Sequence, residues 1–333
     1  MMDKQSEGRT IFGGVDAHKD LHVAAVVDDK DRVIAGESFP TTRHGYRLML
    51  EWMRSFGDLR RAGIEATGTH GAAGLRHFRK AGVQVLEVTG PDKHGRRARG
   101  KSGTFDAEAA AHAAFSGKRT VTPKSRDGMI GALRVLRAVR KTAVQARRIA
   151  LQMMGNTIVA APDAMRDSIR HMTRMPLIRT LAAWRPDMTA CRISLKSLAR
   201  RYLELHGEIA DLDKMIQAIV DELAPGLVAQ DAIGYHSAAQ LLIAAGANPD
   251  RLKSEASFAA LCGVSPIPAS SGKINRHRLN RGGDRAANSA LHIIADGRSK
   301  REALRCVKRC IAREVYRLIR ARYDQINQTQ IVA

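Results

Sequence analysis

IFGGVDAHKDLHVAAVVDDKDRVIAGESF, residues 11–39, reads as three short strands in succession. Ile11–Asp16 is an apolar run that ends on a carboxylate, Leu21–Val27 is a second run, and Arg32–Phe39 is a third. Asp28, Asp29 and Asp31 supply turn chemistry between the last two. Outward from this stretch, a helix is predicted from about His44 to Trp52 and beyond. Ala62–Glu65 is a short strand that ends on a second carboxylate. Residues 70–81 read as helix, Val83–Val88 as strand, and Asp106–Phe115 as an Ala-rich helix.

Three consecutive strands followed by alternating helix and strand is an α/β order, that of a ribonuclease-H-like sheet. The predicted organisation is an N-terminal domain over 1–125, a helical connector over 126–225 and a mostly α-helical C-terminal domain over 226–333. The connector opens with a long helix, roughly Met129 to Met154. Arg134, Arg137, Lys141 and Arg148 share one face of it, and Arg140 and Arg147 widen that face. Leu195, Leu198, Tyr202, Leu205, Ile209, Leu212, Ile216, Ile219 and Leu223 then alternate steps of three and four, a coiled-coil seam that Pro225 closes. Two readings fit that seam: one helix of an intramolecular hairpin, paired with 129–154, or an oligomerisation arm. In the C-terminal domain Ala238–Ala245 and Ala256–Cys262 read as helix, Gly263–Gly283 as loop, and Lys300–Tyr323 as a basic helix.

Charge narrows the partner. The 333 residues carry 55 Lys and Arg against 33 Asp and Glu, a net charge of +22. That excess predicts a polyanion, because neutralised phosphates release counterions. Aromatic residues are only 4%, which argues against base stacking as the main binding mode. No apolar run is long enough for a membrane span, and Met1–Thr10 has no apolar signal core. Cys191, Cys262, Cys306 and Cys310 form no disulfide framework, which predicts a reducing cytoplasm.

Three acids stand at positions where chemistry can gather. Asp16 ends the first strand, Glu65 ends a later one, and Asp106 opens a helix, where it also reads as an N-cap. In a ribonuclease-H-like sheet the first and fourth strands are neighbours, so carboxylates at their ends can converge with one from a helix. Such a cluster repels itself unless a hard cation sits in it, and magnesium suits oxygen donors beside a phosphate. The basic run Lys93, Arg96, Arg97, Arg99 and Lys101 precedes Asp106 with no acid inside it, which suits a passing phosphate backbone.

Together these stretches resemble the 110 family of insertion-sequence transposases, whose acidic domain is similar to the Holliday-junction resolvase RuvC. The resemblance rests on GVDAHKD (14–20), EATG (65–68), RGKSGTFDAEAA (99–110), ALCGVSPIPASSGK (260–273) and RHRLNRGGDRAAN (276–288). It covers nearly the whole chain. It implies a recombinase of the bacterial cytoplasm with an Asp-Glu-Asp-Asp quartet that binds Mg2+. It also implies a serine that attacks the phosphodiester and becomes covalently linked to DNA. A bridge-type non-coding RNA pairs with donor and target DNA, and the protein works as a homo-oligomer, a dimer or a dimer of dimers with composite sites. Carried over by position, Asp16, Glu65 and Asp106 match three of the acids, and Ser271 matches the nucleophile, with Ser270 as the alternative. Lys273, Arg276 and Arg278 are then expected to stabilise charge at phosphorus, while Asn280, Arg281 and Arg285 read as phosphate contacts.

The chain departs from the family pattern twice. Gly103 stands where the family has its third acid, three residues before Asp106. Late in the chain, His292-Ile-Ile-Ala-Asp runs straight into Gly297-Arg-Ser-Lys, where relatives have a longer segment. Two alternatives therefore stay open: an inactive nucleic-acid-binding remnant, and a metal-dependent junction nuclease in which water attacks and Ser271 is structural.

Overall fold

The computed structural model describes residues 8–89, 102–185, 189–272, 274, 276–278, 280–295 and 301–332. The chain is mixed α/β and divides into two compact units, 1–125 and 126–333.

The first unit is built on a six-stranded sheet. Its strands are β1 (Thr10–Ala17), β2 (Leu21–Asp28), β3 (Val33–Pro40), β4 (Asp58–Ile64), β5 (Gln84–Val88) and β6 (Thr120–Val121), in the order β3-β2-β1-β4-β5-β6. β2 pairs antiparallel with both β1 and β3, β4 pairs parallel with β1 and with β5, and β6 is antiparallel to β5. This order agrees with the one expected of a ribonuclease-H-like sheet. Each face is covered because strand side chains alternate. Ile11 and Val15 of β1 join Val26, Ile64 and Val85 in a core under two helices, α1 (Arg43–Arg54) and α2 (Ala72–Lys80). Phe12 points the other way, into a second cluster with Val27, Ala111, Ala114 and Phe115.

That second face belongs to α3 (Gly103–Ser116), and its sequence explains how it sits. Ala107, Ala110, Ala111, Ala113 and Ala114 are all buried, and the strands below answer with glycine. A Cβ on Gly14 would lie 2.1 Å from the Ala107 carbonyl oxygen, and one on Gly63 would lie 2.4 Å from that of Ala110. Backbone therefore rests on backbone, a contact that no larger residue at either strand position permits. The helix starts three residues earlier than the sequence pattern suggested. Ser102 is its N-cap, accepting from the Phe105 N–H at 3.2 Å, so the expected capping role of Asp106 is not what the structure shows. Asp106 is instead buried in the first turn.

The second unit is helical. It comprises α4 (Gly128–Val159), α5 (Asp163–Ile169), α6 (Arg174–Ala183), α7 (Ala190–Leu223), α8 (Pro225–Val228), α9 (Tyr235–Ala245), α10 (Glu255–Leu261), α11 (Arg285–Ala295) and α12 (Arg301–Val332). The heptad seam of α7 is buried within the chain. At its start Leu195, Leu198 and Tyr202 pack with Ala150 and Met154 of α4, Ile169 of α5, and Ile178 and Leu181 of α6. At its end Ile216, Val220 and Leu223 pack with Ile130 and Leu133 of α4 and with residues of α9, α10, α11 and α12. So the hairpin with α4 is the pairing seen, and the core at its Leu223 end continues into the C-terminal helices. The stretch 263–283, expected as loop, contains a small antiparallel hairpin of β7 (Ile267–Pro268) and β8 (His277–Arg278).

Candidate active site

Asp16 shares the sheet face of Phe12 and Gly14, because 12, 14 and 16 alternate onto one side of β1. It is therefore on the side that carries α3, and it is buried. The distance from a Cβ built on Gly103 to Asp16 Oδ2 is 3.4 Å, which places the first turn of α3 directly against this carboxylate. Asp106 lies in the same turn. The β1–β4 ladder pairs Val15 with Ile64, and the Glu65 N–H continues it by donating to the Val15 carbonyl at 3.1 Å. Asp16 and Glu65 thus follow one another on adjacent parallel strands. Sequence reasoning missed His18, whose Nε2 sits 2.9 Å from Asp16 Oδ2 and whose ring is more than half exposed. Its place two residues beyond Asp16 was the available signal.

The donors suit a hard divalent cation in kind, since all three are carboxylates and two of them, Asp16 and Asp106, are buried away from water. Among the described residues, however, no three of His, Cys, Asp and Glu stand in metal-holding geometry. At Gly103 a side chain would start 3.4 Å from Asp16 Oδ2, and this position carries none. The basic run Lys93, Arg96, Arg97, Arg99 and Lys101 lies outside the described residues, as does Lys273.

In the second unit the β7–β8 hairpin presents two serines that differ in what they do. The Ser270 hydroxyl bonds across the hairpin to the Arg276 backbone, accepting its N–H at 3.2 Å. Ser271 is exposed, and its backbone forms an isolated bridge with Ile274, a turn that Gly272 makes with φ +55°. Arg276 and Arg278 are exposed on the return strand, and Arg281 and Arg285 are exposed beyond it. Asn280 departs from expectation. Its amide donates to the Ala260 carbonyl at 3.1 Å and accepts from the Gly282 N–H at 3.0 Å, so it ties the loop together instead of facing a phosphate. Asp284 and Asn288 are likewise structural: Asp284 Oδ1 caps α11 at the Ala286 and Ala287 amides, and Asn288 donates to the Cys262 carbonyl.

The basic face read on α4 divides in the same way. Arg140 pairs with Asp213, and Arg147 meets His206 at 3.0 Å and lies over the Tyr202 ring. Asp213 is held below its usual range because these arginine contacts outweigh the upward push of burial. Arg134, Lys141 and Arg148 are exposed. Arg137 is half-buried and donates to the His236 carbonyl at 2.8 Å.

Two family models match the chain. A DEDD transposase domain of the IS110 group matches residues 13–157, which takes in Asp16, Glu65 and Asp106. A model described as transposase IS116/IS110/IS902 family matches residues 228–306, which takes in the serine hairpin. No curated protein matches the chain. With the sheet-borne acids under one match and the serine hairpin under the other, the chain belongs to the IS110/IS116/IS902 family of transposases.

Proposed function

We propose that this transposase cuts and rejoins DNA through a serine–DNA covalent intermediate, with Ser271 as nucleophile and Asp16, Glu65 and Asp106 as the metal-binding acids of a RuvC-like unit. In the same proposal a structured non-coding RNA brings donor and target DNA together on a homo-oligomer in the bacterial cytoplasm. The observation that carries the catalytic part is the seating of α3 on Gly14 and Gly63, which sets the turn containing Asp106 against Asp16. Magnesium, held by these carboxylates, would supply charge stabilisation at a phosphoryl oxygen.

The residues of the chain then have separate tasks. His18 holds Asp16 in one orientation through its 2.9 Å contact. The Ser271 hydroxyl is free to approach phosphorus, while Ser270 is spent on closing the hairpin. When Ser271 Oγ bonds to phosphorus its hydroxyl gives up its proton, the bond from phosphorus to the leaving deoxyribose oxygen breaks, and that oxygen takes up one proton in exchange. Arg276 and Arg278 stabilise the negative charge that develops between those events.

The test is trapping. With DNA, its RNA and magnesium, the wild-type chain is expected to yield a denaturant-resistant protein–DNA adduct. Ser271→Ala abolishes it, and Ser270→Ala keeps it at reduced yield. Cleavage without any adduct would replace this reading with the water-based nuclease.

Gly103 favours a second reading, a binding-only remnant. That reading expects neither cleavage nor adduct at any magnesium concentration, and recovery of either in Gly103→Asp would show a single lost carboxylate to be the cause.

A further inference from the structure

A groove of about 700 Å³ opens between α4, α9 and α11, entirely within the second unit. Arg134, Arg137 and Lys141 line it from α4 and Arg285 from α11, and among the described residues no carboxylate lines it. A fifth cation, Arg140, is already matched by Asp213. Arg137 is not matched in this way. It is half-buried, and among the described residues its hydrogen bond goes to the neutral His236 carbonyl and no carboxylate pairs with it. Burial pulls its pKa down, and Arg140 adds repulsion. A guanidinium taken partly out of water beside like charge is costly unless an anion joins it.

The rest of the groove has a different character. Val144, Ile243 and Ile293 give it an apolar wall, and Ile293 is 65% exposed on that wall. Gln240 and Ser289 add neutral hydrogen-bonding groups. Cations beside a concave apolar wall differ from the convex basic ridge that tracks a duplex. A duplex meets proteins with its phosphates outward and keeps its bases stacked inside, so it offers nothing to fill such a hollow. An unpaired nucleotide offers both parts at once, a phosphate for the cations and a sugar and base for the wall. The volume lies within the range of small-ligand pockets.

We propose that this groove seats one unpaired nucleotide of a nucleic-acid strand, its phosphate on Arg137 flanked by Arg134, Lys141 and Arg285, and its sugar and base on Val144, Ile243 and Ile293. The proposal rests on the reading of the chain as an enzyme that handles nucleic acid, and adds where and in what form a strand is gripped. The shared chemistry is a phosphodiester with a free base, from DNA or from RNA.

The experiment is fluorescence anisotropy on the full-length chain with labelled single-stranded DNA, single-stranded RNA and duplex DNA of equal length, across a salt series. Arg137→Gln is expected to weaken single-strand binding about tenfold and to lower the salt slope by about one. Ile293→Glu, an exposed change that leaves the core intact, is expected to weaken single-strand binding about tenfold and duplex binding less than twofold. Met215→Glu, exposed on α7 and outside the groove, serves as the charge control and leaves every affinity within about twofold. Whichever single strand loses affinity in Ile293→Glu identifies the source as DNA or RNA. The proposal is overturned if both groove variants bind single strands as wild type does, or if Ile293→Glu weakens duplex and single strand alike. Wild type that binds no probe at all would instead overturn the broader nucleic-acid reading.

Discussion

Asp28 is fully buried at the end of β2, and four donors surround it. The Arg32 and Lys30 amides reach Oδ1 at 2.8 and 3.0 Å, and the Arg32 and Arg9 guanidiniums reach Oδ2 at 2.8 and 2.9 Å. Burial pushes its pKa up, but these bonds outweigh burial and hold it well below the ordinary carboxylate range. A depressed folded-state pKa means stability that is present above the unfolded value near 3.8 and lost as pH falls through the folded one. Asp28→Asn is therefore expected to cost about 2 kcal/mol at neutral pH and to flatten the loss of stability on acidification, read from urea titrations at several pH values. The sequence showed Asp28 only as a turn residue, because its partners Arg9 and Arg32 come together through strand pairing. Gly103 is the other decisive residue. An acid there would stand in the first turn of α3, which favours negative charge, but within reach of Asp16, which does not. Gly103→Asp is expected to lower the melting temperature in chelator and to regain it with added magnesium or manganese. A melting temperature indifferent to both ions would remove the metal-site reading of this turn.

The element that positions the candidate site is α3. Its alanines give no apolar period, so the sequence marks a helix but not the face it buries. The glycines that receive it are distant in the chain and gain meaning only once β1 and β4 are neighbours. Gly14→Ala and Gly63→Ala each drive a methyl into helix backbone, and each is expected to cost about 3 kcal/mol or more, with loss of native far-UV dichroism at physiological temperature as the readout. For α7 the opposite holds. Its heptads were plain in the sequence, yet a seam of period 3.5 does not say whether the partner helix belongs to the same chain. Ile216→Ala is expected to cost about 3 kcal/mol, and the loss is expected not to change with protein concentration, because the seam closes on α4. The serine hairpin was not legible at all, since strands of two residues are too short to display alternation.

Across the whole molecule, an excess of 22 positive charges makes association with nucleic acid strongly salt-dependent. Affinity for DNA is expected to fall by on the order of a thousandfold between about 50 and about 200 mM salt, measured by filter binding, and a shallow slope would argue against a large phosphate interface. Charge, the succession of the first strands along the chain and the acids at strand ends were readable from the sequence, because each is a local property. The groove was not, for it needs three helices separated by some 150 residues of chain to meet. Those helices include α4, whose 32 residues extend about 48 Å and whose two ends are fixed in different apolar cores. Close-packed interiors transmit displacement instead of absorbing it. With α7 packed alongside, a strand seated near Arg137 as proposed would pull on a stiff helix, and that tension is expected to reach the far core around Met154 and Leu181.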